Sequence, residues 1–240
     1  MNEPKILLVD IETFPNLYYA WRLWEGRALD VIEFSTICCW AAKWLGSSKM
    51  IVRALPDYPN KAGKYLYSPS AEKSLIHDLW KLVDEADMLV AHNGKAFDFG
   101  RMNSQFIKHG FGPPSPTQKI DTKKAAKSVF GVDSNSLDNL CQMWHLGEKM
   151  NTGGYELWKL CMAGDPVAWA KMKKYNAHDV VLLEKLYLTL RPWMVDHPNV
   201  TLYKGDCAKC GSLHVTKRGT YRSAARVYQR YQCQDCGGWS

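Results

Sequence analysis

The chain has 240 residues, 46% of them hydrophobic, with ten tryptophans and a formal net charge of +7. This length and composition exclude a disordered or fibrous chain and allow one substantial domain plus a small module. No basic-then-apolar leader opens the sequence, and no apolar run reaches the ~18 residues of a membrane span, so a cytoplasmic protein is expected, with no membrane partner.

The apolar run "ILLVDIETFP" reads as a buried strand over residues 5 to 12. "NLYYAWRLW" and "TICCWAAKWL" read as further strands, and Gly46, Ser47 and Ser48 turn the chain into "KMIVRAL", giving an antiparallel meander. "SAEKSLIHDLWKLVDEA" has apolar residues at helical spacing, with Ser70 as its expected N-cap. "DMLVAHN" is the next buried strand, "FDFGRMNSQFIKHG" the next helix, and "GFGPPSP" a loop. "KIDT" reads as a short strand, and "KKAAKSVF" and "SLDNLCQMWHL" as helices. Asp165 and Pro166 start a last helix that reaches about Leu190, bending or breaking on the way, and Pro192 and Pro198 mark its exit. Strands followed by alternating helices and strands imply one α/β domain built on a mixed sheet flanked by helices.

Charge and cysteines are unevenly placed. From Cys207 onward, Lys209, Lys217, Arg218, Arg222, Arg226 and Arg230 stand against the single acid Asp235, which suits a polyanionic partner. Cys38, Cys39, Cys141 and Cys161 lie in apolar segments and read as small core residues. "CAKC" and "CQDC" hold Cys207, Cys210, Cys233 and Cys236, two paired knuckles that favour a structural Zn2+ over disulfides in a cytosolic chain. The segment between them is expected to form a hairpin turning at "KRGTY". About forty residues build little core, so metal must supply folding energy there.

Acids in apolar surroundings carry the chemistry. Asp10 and Glu12 are two apart on a strand and so point to one face, where like charges need a cation between them. Hard oxygen ligands suit magnesium or manganese. Asp98 begins a helix directly after a buried strand, a usual place for site residues in open sheets. Asp179 precedes the apolar run "VVLLEKLYL", where an unpaired carboxylate is costly. Tyr175, four residues earlier, shares its helix face.

"DIE", "HNGKAFD" and "YNAHD", in this order, resemble the three exonuclease motifs of the DEDD superfamily, the ribonuclease H-like 3′–5′ exonucleases. One subfamily places a histidine five residues before the last aspartate, where this chain has Lys174. The other places a tyrosine four before it, matching Tyr175, so the chain resembles the tyrosine subfamily and His178 is not the expected base. "IDTKKAAKSVFGVDSNSLDNL" is similar to stand-alone phage and bacterial members, implying a bacterial cell or the cytoplasm of a phage-infected host; Asp121 there is not one of the four ligands and is read as structural or as a support to the ligands. The resemblance implies that Asp10, Glu12, Asp98 and Asp179 hold two Mg2+ or Mn2+ ions, that Tyr175 orients the attacking water, and that Asn93 and Phe97 shape the substrate side. The C-terminal segment resembles the four-cysteine zinc ribbons near the ends of transposases; its Lys217, Arg218, Arg222 and Arg230, interleaved with tyrosines, would contact nucleic acid, the alternative being a solvated basic knuckle or a surface that docks a protein.

The expected organisation is therefore a ribonuclease H-like domain over residues 1–198 and a zinc ribbon over 199–240. The expected activity is metal-dependent 3′–5′ exonucleolytic hydrolysis of DNA with a free 3′ end, the ribbon aiding capture, and a replication or repair protein is a candidate partner. The alternatives are an RNA-trimming exoribonuclease or structure-specific endonuclease on the same fold, or a non-catalytic nucleic-acid-binding adaptor.

Overall fold

The computed structural model describes residues 4–22, 28–58, 68–201 and 205–240. Its strands are β1 (Ile6–Thr13), β2 (Leu17–Tyr19), β3 (Asp30–Glu33), β4 (Ile37–Trp44), β5 (Met50–Ala54), β6 (Met88–Ala91), β7 (Gln118–Asp121), β8 (Val215–Arg222) and β9 (Val227–Cys233). The helices are α1 (Pro69–Glu85), α2 (Asp98–Lys108), α3 (Thr122–Val129), α4 (Leu137–Met143), α5 (Glu156–Met162) and α6 (Pro166–Leu190).

Five strands form the central sheet in the order β5-β4-β1-β6-β7. β1 pairs antiparallel with β4 and parallel with β6, and β6 pairs parallel with β7, so the sheet is mixed as expected. Side chains of β1 alternate between two cores. Leu7, Val9 and Ile11 pack in one layer with Leu75 and Leu79 of α1 and Met102 and Phe106 of α2. Ile6 and Leu8 pack in the other with Leu140 of α4 and Val180, Leu183 and Leu186 of α6. Burying each such aliphatic side chain contributes about 1.5–3 kcal/mol. By the same alternation Asp10 and Glu12 continue the Ile6–Leu8 face, the one that α6 covers. Cys38, Cys39, Cys141 and Cys161 are buried free thiols, as expected.

Four sequence expectations are corrected. "NLYYAWRLW" does not extend the main sheet: only Leu17–Tyr19 is strand, paired with β3 in a separate two-stranded sheet, and Leu23 and Trp24 lie outside the described residues. Pro15 has no N–H to continue the ladder, and the β1–β4 register already shifts between Glu12 and Thr13. The cap of α1 is Ser68, whose side chain accepts from the Ala71 N–H, because Pro69 takes the first helical position. α6 is one continuous helix of 25 residues. Past Pro166 it contains neither glycine nor proline, so nothing interrupts its hydrogen bonds. Finally, "KRGTY" runs inside β8, where the register shifts between Lys217 and Thr220, and the chain reverses instead at Ser223, whose N–H donates to the Arg226 carbonyl.

The β8–β9 pair and its four cysteines follow α6 and touch its end. Lys209 Nζ donates to the Pro192 carbonyl at 2.6 Å. No helix among the described residues is long and apolar enough to cross a membrane.

Candidate active site

Three carboxylates converge where α6 crosses β1. Asp10, Glu12 and Asp179 each bring an oxygen to within 4.8 Å of the others. Strand alternation delivers the first two and the α6 stripe delivers the third. Asp98, at the start of α2, stands just outside this group, and its Oδ1 accepts from the Ile11 N–H at 3.3 Å. The loop before it is built tightly: a Cβ on Gly94 would come within 2.7 Å of the Ala91 Cβ and 2.8 Å of the Phe99 ring.

Burial and mutual repulsion hold these acids far from their ordinary ionisation. Asp10 is pushed well up by burial and then by the charges of Asp98, Glu12 and Asp179, with Lys149 opposing. Burial, with Asp179 nearby, raises Glu12 to about 8. Burial also raises Asp98 to about 7, against backbone hydrogen bonds that favour its charge. Asp179 is raised by burial too, although Lys149 pulls it down. One of its oxygens, Oδ1, is buried with no hydrogen-bond partner. An orphaned buried carboxylate oxygen beside two further acids is a donor set that fits a hard divalent cation.

Two residues at this site went unread in the sequence. Lys149 Nζ pairs with Asp179 Oδ2 at 2.6 Å, donates to the Tyr175 hydroxyl at 3.1 Å and lies over the Tyr175 ring. Its visible signal is a lysine in the loop "GEKMNTGG", whose three glycines all take positive φ. Asn176 is fully buried on α6 and donates to the carboxylate of Asp10 and, at 3.4 Å, to its carbonyl. A polar residue inside an apolar helical stripe was its signal. Tyr175 itself is half-buried, edge-on to Trp158, and its phenol is raised by burial and by Asp179 and Glu12. His178 turns away to the Glu148 carbonyl, at 2.7 Å.

A cleft of about 750 Å³ is lined by Thr13, which follows Glu12 on β1, by Trp158, which packs edge-on to Tyr175, and by Tyr18, Arg101 and Tyr155 among others; none of the acids lines it. Phe97 lies next to it under the Arg101 guanidinium, and Asn93 sits in the left-handed region at φ 68, its N–H held by Asp121. Asp121 also accepts from the Lys95, Lys123 and Lys124 N–H groups, so its carboxylate holds the loop and the start of α3.

The RNase_H superfamily profile matches residues 54–191, more than half the chain. The chain belongs to the RNase_H superfamily. Within that match lie Asp98, Tyr175 and Asp179, while Asp10 and Glu12 precede it on β1. The fold is similar to the family B DNA polymerase from the hyperthermophilic archaeon Pyrobaculum calidifontis, with a TM-score of 0.56 and 13% identity. That match covers 79% of this chain and 25% of the polymerase, so the chain spans a quarter of that protein's length. No curated protein matches the chain. Membership of the RNase_H superfamily supports nuclease chemistry and a nucleic-acid substrate.

The second cluster lies in the C-terminal segment. Cys207, Cys210, Cys233 and Cys236 bring their sulfurs within 4.8 Å of one another. Cys207 to Cys236 and Cys210 to Cys233 are each 3.7 Å, far beyond a disulfide and close to the roughly 3.8 Å edge of a tetrahedron with metal–sulfur bonds of ~2.3 Å. Against burial, backbone hydrogen bonds at Cys236 and Asp235 bring the Cys233 thiol down to about 7, while burial raises the Cys210 and Cys236 thiols. The predicted contact residues Lys217, Arg218, Arg222 and Arg230 are all exposed on β8 and β9, separate from the carboxylates in sequence and fold.

Proposed function

We propose that this RNase_H-superfamily protein is a 3′–5′ exonuclease of the DEDD tyrosine subfamily acting on DNA, with a nuclease domain over residues 1–198 and a zinc ribbon over 199–240. One observation carries the reading: Asp10, Glu12 and Asp179 converge beside Tyr175, with a buried Asp179 oxygen left without a partner. Asp10, Glu12, Asp98 and Asp179 would hold two magnesium or manganese ions, which when bound supply a water of lowered pKa and neutralise charge on the leaving 3′-oxygen.

The chain's own side chains do the positioning. Asn176 fixes the Asp10 carboxylate, which leaves its other oxygen free to act as a ligand. Lys149 donates to the Tyr175 oxygen, which leaves the phenol proton for the Asp179 carboxylate or, in the working site, for the attacking water. Because burial keeps that phenol protonated, it acts as a donor and not as a base. Asn93 and Phe97 border the substrate side, where the cleft would take the 3′-terminal strand. Cys207, Cys210, Cys233 and Cys236 would hold one zinc ion that folds the ribbon, and Lys217, Arg218, Arg222 and Arg230 would contact phosphates.

End-labelled and circular DNA and RNA, incubated with magnesium or manganese, test the proposal. Immediate loss of a 3′ label from linear DNA, with circles intact, is expected. Cut circles would point to an endonuclease and cleavage confined to RNA to an exoribonuclease. Binding without any cleavage would make the protein an adaptor.

A further inference from the structure

The two faces of the β8–β9 hairpin differ in chemistry. Tyr221 pairs directly with Tyr228, and their rings stack 6.4 Å apart. By alternation Arg230 and Gln232 share the face of Tyr228, and Gly219 shares that of Tyr221. A Cβ on Gly219 would meet the Arg230 guanidinium at 3.0 Å, so glycine there lets that side chain lie flat across the strand. The guanidinium also lies over the Trp239 ring at 5.1 Å, and Trp239 is tied to Gln232 by an isolated β-bridge. Arg218, freed from the ladder by the bulge, reaches the Gln232 side-chain oxygen. Tyr221, Tyr228 and Trp239 are nevertheless 58%, 49% and 43% exposed. The opposite face carries Thr220, Gln229 and the pair Lys217–Tyr231, with no such ring stack.

A stacked tyrosine pair and a tryptophan under a guanidinium, all exposed on one face, form the kind of patch that marks an interaction site. Unpaired bases offer the flat apolar faces that would cover them, and phosphates offer the negative charge that no acid among the described residues brings to Arg218 or Arg230. In a duplex the bases cover one another, so the rings would find no face to stack on. We infer that the Tyr221–Tyr228–Arg230–Trp239 face is a stacking strip that captures single-stranded nucleic acid. The inference deepens the proposed function by naming the strandedness of the substrate, and it rests on that reading only for the fate of the captured strand.

The test is binding of the full zinc-loaded chain to two fluorescein-labelled probes, an oligothymidylate and a blunt duplex of equal length. Tyr228→Ala should weaken the oligothymidylate about tenfold, the loss of one stacked base, and Tyr228→Phe should restore it. The same change should leave duplex affinity within a factor of about two, because phosphate contacts remain. Thr220→Ala, on the opposite face, should change neither. Equal losses on both probes, or no loss on either, would overturn the strip, the second outcome pointing to a protein partner. A wild-type chain that binds the oligothymidylate through Tyr228 but never shortens it would leave the strip standing and remove the nuclease reading.

Discussion

Lys149 Nζ lies 2.6 Å from Asp179 Oδ2, so the loop between α4 and α5 supplies a cation to the most buried of the clustered acids. The pair also fixes Tyr175, since the same nitrogen reaches its hydroxyl. Lys149 lowers the proton affinity of Asp10, Glu12 and Asp179 alike. Lys149→Met should therefore raise all three further, shifting the acidic limb of the rate profile to higher pH. It should also lower kcat on the order of tenfold to a hundredfold, because Tyr175 loses its anchor, with KM little changed. A pH–rate profile checks both; an unmoved limb would mean the ammonium does not face the working site.

Stability of the metal-free protein should fall as pH rises. Glu12 is held at about 8 and Asp98 at about 7, both above their ordinary values. An acid raised in the folded state binds its proton more tightly there than in the unfolded chain, so its contribution is present at low pH and lost as pH climbs through the folded value. His92, pushed down to about 4 by burial, acts the opposite way only below the ordinary histidine range. Between about pH 6.5 and 8 His92 no longer contributes, and the loss comes from the raised acids. Tm measured in a chelator that spares zinc should drop across that window, and Glu12→Gln should flatten the drop. Added manganese should flatten it too, by replacing protons with a bound cation.

Asp10→Asn and Asp179→Asn should each abolish cleavage, since metal-holding carboxylates act as one unit, yet raise the metal-free Tm at pH 8 by relieving repulsion. Strong residual cleavage in excess magnesium by either variant would remove the assignment.

Tyr175→Phe should slow hydrolysis by about tenfold or more, the usual scale for a group that orients a reacting water. His178→Ala should change it little, because that imidazole faces the Glu148 carbonyl. Single-turnover rates on a 3′-labelled strand separate the two.

Cys236→Ser should unfold the ribbon while leaving the carboxylate cluster in place, because the described contacts between the ribbon and the end of α6 are few. KM on long strands should rise far more than kcat falls, the signature of lost uniform binding. Near-ultraviolet circular dichroism and Tm check that the larger domain survives.

How much of this the sequence carried follows from the range of each signal. Asp10 and Glu12 were legible because a period of two needs no knowledge of the rest of the fold. Tyr175 and Asp179 were legible because one helical turn relates them. Lys149 was not, since its loop reaches α6 across a distance that no local period encodes. Asn176 was hidden by its neighbours, the motif residues on either side. The Ser68 cap was missed because a second serine follows Pro69, and only the proline's preference for the first helical position separates them. The bulge at Gly219 passed for a turn because glycine at positive φ, here 70, serves both.

α6 is unbroken, and that makes it a ruler. Asp179 sits about three turns before the helix end, so the acids and the ribbon's anchorage at Pro192 are separated by roughly 17 Å of rigid rod. The Lys209–Pro192 contact at the end of that rod, rather than the connecting segment, then sets the span between ribbon and acids. Oligonucleotides too short to cross it can occupy the acids or the ribbon but not both. Cleavage efficiency should then climb in a step at one threshold length and level off beyond it, so the helix sets a minimum size for a good substrate.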